Sequence, residues 1–203
     1  MKRSPIDVFS EWADQNKDSG MEQNHWQSVE NMLSFALNKN NTFSFIDAGC
    51  GNGWVVRKVI KNPLCINAVG IDGSNKMIEK AKKIDPSGSY LCADLMLWYP
   101  ENTVDLVHSM EVFYYVENPK NLIQQIFDSW LNKNGRLIIG IDFYFENTIS
   151  HDWSETCGIK NMKLLREIEW LEFFNAAGFH SINSWRYGRK DGWAGTLIIT
   201  GLK

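Results

Sequence analysis

The stretch from Phe43 to Gly53 constrains the fold more than any other part of the chain. It reads FSFIDAGCGNG, an apolar run that ends in the acid Asp47 and is followed by glycine at every second position. Residues 43–46 have the composition of a short buried strand, and a helical pattern resumes over residues 54–60. The stretch therefore predicts a strand, a tight turn and a helix, which together present backbone N–H groups to a ligand.

The spacing of the glycines selects between ligands. A dinucleotide-binding turn has the pattern G-x-G-x-x-G, in which the third glycine lets the helix pack closely on the strand. Counted from Gly49, that third position is Trp54, and counted from Gly51 it is Val56. Both side chains are too bulky, so a nicotinamide site is excluded on steric grounds. A glycine-rich turn that binds no ligand remains an alternative on this motif alone.

The remaining pattern, acid-x-Gly-x-Gly-x-Gly, resembles that of the class I S-adenosylmethionine-dependent methyltransferases. The resemblance implies S-adenosylmethionine as cofactor and S-adenosylhomocysteine as product. It also implies that Asp47 holds the methionine amino end while the turn passes under the cofactor. The turn residues concerned are Ala48, Gly49, Cys50, Gly51 and Gly53.

Two further acids follow predicted strands. Asp72 ends the apolar run 66–71, about twenty residues beyond the glycines, where a carboxylate can accept hydrogen bonds from both ribose hydroxyls. The alternative, that Asp72 only caps the next helix, is weaker because Ser74 is the better cap. In the resembled family an acid at Asp94 accepts the adenine amino group, although a simple loop acid remains possible. The neighbours assigned to the cofactor with these acids are Gly73, Met77, Ala93 and Leu95.

The acceptor side is expected where the fourth and fifth strands end, because ligands of open α/β sheets bind at the carboxyl edge. The fourth strand spans residues 104–110, and the resemblance brings Ser109 and Met110 to the cofactor through their backbone. His108 is interpreted as a core histidine. The predicted acceptor pocket consists of Glu111, Tyr114, Tyr115, Asp142, Tyr144, His151 and Trp153.

Two residues of that pocket are candidate catalysts. Glu111 is a candidate general base or cation-binding acid, and the cap of a short turn is its alternative role. His151, next to Asp152, is a candidate base, and a loop hydrogen bond is its alternative. Rings and acids together favour a small polar or cationic acceptor.

Two helices are predicted before the first strand. Ser4 and Pro5 are typical of a helix start, and residues 18–20 separate this helix from a second one. Trp12, His25 and Trp26 are candidates for a lid over the cofactor, with Trp12 in contact with it, and simple cover for the sheet is the alternative.

The resemblance implies the fold class of the whole chain. It predicts an α/β, doubly wound, seven-stranded, mostly parallel sheet of order 3-2-1-4-5-7-6 with the last strand antiparallel, and N-terminal lid helices. We expect a single domain over residues 1–203, with the lid in 1–40 and the cofactor-binding core in 43–203. A helix is predicted to open at Asn118-Pro119 and to close at Asn134-Gly135.

Composition excludes other classes of function. A net charge of −3 gives no basic field for nucleic acid. The chain also lacks the Asn/Asp-Pro-Pro-aromatic signature of nucleic-acid and glutamine amino-methylases after its fourth strand. The four cysteines form no C-x-x-C pair, so no metal site is expected. No apolar run has the length of a membrane span, and we expect a cytoplasmic protein with no membrane partner.

We therefore expect an S-adenosylmethionine-dependent methyltransferase that acts on a small-molecule acceptor. A protein or RNA methyltransferase and a non-catalytic S-adenosylmethionine-binding protein remain the alternatives. The sequence does not determine the oligomeric state.

Overall fold

The computed structural model describes residues 2–37 and 40–203. Residues 1, 38 and 39 of the predicted lid segment lie outside the described part. The α-helices are α1 (Pro5–Asp14), α2 (Gly20–Ala36), α3 (Trp54–Val59), α4 (Asn75–Ile84), α5 (Pro119–Gln125), α6 (Trp153–Thr156) and α7 (Glu167–Ala177). The strands are β1 (Phe43–Ala48), β2 (Cys65–Asp72), β3 (Ser89–Cys92), β4 (Val104–Met110), β5 (Leu131–Ile141), β6 (His180–Tyr187) and β7 (Thr196–Leu202).

The seven strands form one sheet of order β3-β2-β1-β4-β5-β7-β6. Strands β1 to β5 pair in parallel, and β7 is antiparallel to both β5 and β6. The predicted order and the antiparallel last strand are confirmed. The carboxyl ends of β1, β2 and β4 therefore meet at one edge of the sheet.

Apolar cores lie on both faces of this sheet, as expected for parallel strands that are covered by helices. On one face, the fully buried rings of Trp130, Trp170 and Phe174 pack with residues of β4 and β5. On the other face, Val29 and Met32 of α2 pack with residues of α3, α4 and β1. Because both faces are covered, ligands can reach the sheet only at its edge.

The prediction for the helix after Asn118 was wrong at its end. Helix α5 ends at Gln125, a single π-helical turn follows over Ile126–Trp130, and pairing with β4 begins at Leu131. The Asn134-Gly135 pair lies inside β5, where the register with β4 shifts and Asn134 has a φ of 67°. The turn signal therefore marks an irregularity in a strand rather than the end of a helix.

The first N-terminal helix begins where the sequence predicts, and the predicted break separates it from the second. The Ser4 hydroxyl accepts a hydrogen bond from the Asp7 N–H at 3.1 Å and caps α1, and Pro5 occupies the first turn. A 3₁₀ turn over Lys17–Ser19 separates α1 from α2. The hydroxyls of Ser10 and Ser74 lie 2.8 Å apart, so α1 is fastened to the start of α4.

Candidate active site

One cavity of about 1220 Å³ lies at the carboxyl edge of the sheet, under the N-terminal helices. Sites for one small ligand usually occupy ~300–1,000 Å³, so this cavity has room for two ligands side by side. Twelve of the residues that the sequence assigns to the cofactor line it: Trp12, Asp47, Gly49, Cys50, Gly51, Asp72, Gly73, Met77, Ala93, Asp94, Leu95 and Met110.

The glycine turn packs tightly against its surroundings. Gly49 and Gly53 have φ values of 83° and 78°, which side chains rarely adopt. A Cβ at Gly49 would lie 2.2 Å from Cγ2 of Val112, and one at Gly53 would lie 2.4 Å from Cε1 of Tyr90. Gly49 both lines the cavity and touches Val112, whereas Gly53 lies outside the lining and serves the packing of the turn.

The carboxylate of Asp47 is held from below the cavity. Its Oδ1 lies 2.7 Å from Nδ1 of His108, and both residues are buried. Beside them, the Ser109 hydroxyl donates to the Ala48 carbonyl at 2.6 Å. Ala48 and Ser109 therefore hold β1 and β4 together through this hydrogen bond, and neither residue lines the cavity.

Asp72 joins the glycine turn to the start of α4. Its Oδ2 accepts from the Gly51 N–H at 2.9 Å, and its Oδ1 accepts from the Ser74 N–H at 2.8 Å. Burial raises the pKa of Asp72, and these two N–H donors oppose that rise. Ser74, as expected, caps α4 by accepting from the Met77 N–H.

Asp94 lies at the opposite end of the same wall. It is exposed to the cavity, and its Oδ1 accepts from the Met96 N–H at 2.9 Å. One carboxylate oxygen therefore shapes the loop, and the group as a whole remains at the surface of the cavity.

Glu111 is the structural centre of the other side of the cavity. Its φ of 61° is unusual for a residue with a long side chain. Its Oε1 accepts from the Asp142 N–H at 2.5 Å, and its Oε2 accepts from the Tyr114 hydroxyl at 2.6 Å. Burial, together with the negative charge of Asp142, holds the pKa of Glu111 well above its usual range.

Asp142 lies behind the cavity wall, next to a histidine from α2. Its Oδ2 is 3.8 Å from Nδ1 of His25, and His25 lines the cavity. Burial raises the pKa of Asp142 to about 6 and lowers the pKa of His25 below its usual value. This side of the cavity therefore brings Asp142, His25 and Glu111 close to one another.

The structure brings together only some of the predicted acceptor residues. Glu111, Tyr114, Tyr115 and Trp153 line the cavity, whereas Asp142, Tyr144 and His151 do not. Tyr144 is buried and donates to the Gly195 carbonyl at 2.8 Å. His151 is exposed, and its Nε2 lies 2.8 Å from the Phe145 carbonyl oxygen, the loop hydrogen bond that was its alternative role.

Only two of the three candidate lid residues line the cavity. Trp12 and His25 line the cavity, and Trp26 does not. Trp26 lies 40 % exposed on the outer side of α2 with the Lys58 amine over its ring, so it belongs to the surface.

Several lining residues were not assigned to the site from the sequence. Phe9 lies in edge-to-face contact with Trp12 and Tyr115, with ring centroids 5.3 Å apart in both pairs. Its helical spacing with Ile6 and Trp12 was the available signal, but that spacing is equally typical of a helix that covers a sheet. Lys163 also lines the cavity, and nothing in its sequence context indicates that role.

Neither a metal cluster nor a membrane segment is found in residues 2–37 and 40–203. No three His, Cys, Asp or Glu side chains of this part lie close enough to hold a metal ion. None of its helices has the length and apolar character that crossing a bilayer requires.

Comparison with known proteins gives matches at the level of sequence. A family model described as "Methyltransferase domain" matches residues 46–139. Trans-aconitate 2-methyltransferase from Rhizobium rhizogenes is 30% identical over 46% of this chain and 36% of its own length. Malonyl-[acyl-carrier protein] O-methyltransferase from Halalkalibacterium halodurans is 26% identical over 68% of this chain and 52% of its own length. The chain thus spans between a third and about half of these curated relatives.

One solved structure resembles the chain over its full length. It is a methyltransferase chain in a complex with the Haloferax volcanii Trm112 methyltransferase activator. The TM-score is 0.84 at 27% identity, and the match covers 100% of this chain and 99% of that one.

Proposed function

We propose that this chain is a class I S-adenosylmethionine-dependent methyltransferase and that it transfers a methyl group from S-adenosylmethionine to a small-molecule acceptor. The observation that carries the proposal is the wall of the cavity. Asp47, Asp72 and Asp94 follow or end three neighbouring strands and line this wall together with the glycine turn.

The side chains of this wall can form the hydrogen bonds that the cofactor requires. Asp47 can accept from the methionine amino group, Asp72 from the ribose hydroxyls and Asp94 from the adenine amino group. An uncharged ribose suits a carboxylate, whereas a 2′-phosphate would be repelled by it. The buried side of Leu95 and the side chain of Met77 provide apolar surface for a ring system.

S-adenosylmethionine supplies an electrophilic methyl group that needs little acid–base help from the protein. The remaining task of the chain is to align two ligands and to exclude water. Helix α1 covers the cavity with Ile6, Phe9 and Trp12, and its contacts to Tyr115 and Ser74 tie it to both sides of the site.

The acceptor side favours a small polar or cationic molecule. Trp12, Tyr115 and Trp153 present aromatic faces, which attract cations, and Glu111 lies among them. Lys163 places one cation on the same wall. The net charge of −3 gives no extended basic surface, which argues against a nucleic-acid acceptor.

Calorimetry with S-adenosylmethionine, S-adenosylhomocysteine and NAD tests the cofactor. We expect binding of the first two and none of NAD, and tight NAD binding without the others would refute the proposal. Incubation of cell extract with methyl-labelled cofactor then tests the acceptor. Label in the small-molecule fraction supports our proposal, label in protein or RNA supports the alternative, and cofactor binding without any turnover indicates a non-catalytic binding protein.

A second candidate, a methyltransferase that works with an activator protein, is favoured by one observation. The chain matches a Trm112-bound methyltransferase from end to end, and not only over the cofactor-binding half. Strand β3 ends the sheet, and Leu91, Leu97 and Tyr99 on it and after it are 44%, 78% and 57% exposed. Such exposed apolar groups are typical of an interface.

Size-exclusion chromatography with purified Haloferax volcanii Trm112 tests this candidate. Co-elution that is lost in a Leu91→Asp variant supports an activator complex at β3. Separate elution at micromolar concentrations, with the cofactor bound by the isolated chain, counts against it.

A further inference from the structure

His25 is the histidine that reaches the cavity. The other three histidines lie elsewhere: His108 is buried beneath Asp47, and His151 and His180 are exposed outside the lining. His25 belongs to α2, which also supplies Met21 and Asn24 to the cavity wall. The imidazole ring of His25 therefore reaches the cavity from helix α2 and not from a strand of the sheet.

We infer that His25 removes the proton from the methyl acceptor and that Asp142 is the residue that positions its ring. This inference rests on the proposed function, because it names the base of the same reaction. It also restricts the acceptor to one whose nucleophilic atom arrives with a proton, such as an ammonium or a hydroxyl group.

The geometry assigns separate tasks to the two ring nitrogens. Nδ1 faces Oδ2 of Asp142 at 3.8 Å, longer than a hydrogen bond but within the range of an ion pair once the ring is charged. Contacts of this kind often shorten when the substrate binds. Nε2 lies on the other side of the ring, and no residue of the described chain forms a hydrogen bond with it.

Glu111 is less suited to the same task. Both of its carboxylate oxygens already accept hydrogen bonds, one from the Asp142 N–H and one from the Tyr114 hydroxyl. Burial and the charge of Asp142 also raise the pKa of Glu111 well above its usual range. Glu111 therefore fixes the backbone of Asp142 and the ring of Tyr114 and leaves proton transfer to His25.

The charges around His25 support its role as a proton acceptor. Burial lowers its pKa and thereby favours the neutral ring, which can accept a proton. Charged groups that line the cavity with His25 include Glu111, Glu117, Lys17 and Lys163, and Asp142 lies 3.8 Å from the ring. Of these, Asp142 lies in ion-pair range and stabilises the imidazolium that forms, in the manner of the acid in a catalytic triad.

The proposed step is balanced. The acceptor atom gives its proton to Nε2 of His25 and uses its lone pair to bond to the methyl carbon, while the methyl–sulfur bond breaks and its electron pair stays on sulfur. The imidazolium then returns the proton to water when the lid opens.

The test uses two cofactor analogues and no acceptor. S-adenosylhomocysteine has no group at the position of the methyl, whereas sinefungin has an ammonium group there. NMR spectroscopy of the imidazole Cε1–H signals follows each of the four histidines through a titration. If His25 faces the transferred methyl, sinefungin should lower its pKa by about one unit relative to the S-adenosylhomocysteine complex, because a nearby positive charge disfavours the imidazolium.

The signal of His180, which is exposed and outside the cavity, is the internal control and should titrate alike in both complexes. Asp142→Asn should lower the pKa of His25 in the S-adenosylhomocysteine complex, since the ring loses its anionic neighbour. Identical His25 titrations in the two complexes would overturn the inference. Failure to bind either analogue would instead overturn the proposed function.

The rate of methyl transfer in a single turnover gives a second readout. The acceptor in this assay is the extract fraction that gains label from the methyl-labelled cofactor. His25→Gln should slow methyl transfer by about 10²–10⁴-fold, the usual contribution of a general base. The rate of this variant should rise with pH, as solvent hydroxide replaces the lost base, while its affinity for S-adenosylhomocysteine stays close to that of the wild type. His180→Gln is the matched control. An equally slow His25→Gln variant at every pH would indicate a packing role and would refute the inference.

Discussion

Nδ1 of His108 lies 2.7 Å from Oδ1 of Asp47, and the two residues are register partners on the neighbouring strands β4 and β1. Both residues are buried, so the hydrogen bond between the Nδ1–H group of the ring and the carboxylate lies in a region that excludes water. The histidine therefore fixes the orientation of the acid that the cofactor's amino end is proposed to meet.

The first prediction concerns this pair. His108→Leu removes the donor and leaves a buried carboxylate oxygen without a partner, which costs about 1.5–3 kcal/mol. We expect the dissociation constant for S-adenosylmethionine to rise by about 10–100-fold. His108→Asn, whose amide can donate to Asp47, should lose less. Calorimetry measures both, with thermal unfolding to verify the fold, and wild-type affinity in the leucine variant would contradict the role of His108.

Asp72 gives the second prediction. Asp72→Ala should weaken binding of S-adenosylmethionine by roughly 1–3 kcal/mol, because charge-assisted hydrogen bonds to the ribose are lost. The Gly51 N–H also loses its acceptor, so the glycine turn should become less ordered. Asp191→Ala, in the exposed loop after β6, is the control. Equal affinities of the two variants in calorimetry would remove Asp72 from the binding site.

The third prediction separates backbone strain from close packing in the glycine turn. Gly49 and Gly188 both have positive φ, 83° and 72°, so alanine strains the backbone at either position. At Gly49 the new Cβ would lie 2.2 Å from Val112, whereas at Gly188 it would have no atom of the described residues within 4 Å. Urea denaturation should show Gly49→Ala to be less stable than Gly188→Ala by about 1–3 kcal/mol, the cost of overpacking. Equal losses would mean that Val112 moves aside freely.

The lid gives the fourth prediction. Phe9→Ala removes the ring that links Trp12 to Tyr115 across the cavity, so we expect a higher dissociation constant for the cofactor and faster release. Deletion of the residues before Gly20 should have a larger effect of the same kind, because Asp18 also accepts from the Asn52 side chain in the glycine turn. Phe35→Ala, on the outer surface of α2, is the control. Stopped-flow release rates that do not change would reduce α1 to a cover for the sheet.

The first strands could be predicted because their signals are local, whereas the order of the seven strands was implied by the family resemblance. Each of β1, β2 and β4 is a short apolar run, and in a parallel sheet their ends must meet at one edge. The residues that end or follow the first strands, Asp47, Asp72 and Asp94, therefore line one wall, as the sequence suggested for any ligand of this fold.

The acceptor side could not be predicted in the same way. Its members come from loops, from the short helix α6 and from α2, and the direction of such segments depends on tertiary packing. Tyr144 turns under the wall to bond with Gly195, and His151 turns outward to Phe145. His25 meets Asp142 only because α2 packs against β5, a contact between distant segments that no local pattern announces.

The last prediction follows from the buried carboxyl group of Asp142. Its pKa is raised to about 6 by burial, whereas an aspartate in the unfolded chain has a pKa of ~3.9. Between these values the folded state holds a proton that the unfolded state has released, so the free energy of unfolding must fall as pH rises from about 4 to about 6. A shift of this size corresponds to a loss of about 2–3 kcal/mol at neutral pH.

Asp142→Asn cannot release a proton and should escape this loss. The variant should approach the wild type below about pH 3, where the aspartate is protonated in both states, and exceed its stability increasingly up to about pH 7. Urea denaturation at several pH values measures the difference, and Asp191→Asn, at an exposed position, should follow the wild type throughout. If the two proteins differ in free energy of unfolding by the same amount at every pH, Asp142 titrates at an ordinary pKa. Burial would then not destabilise its carboxylate next to His25.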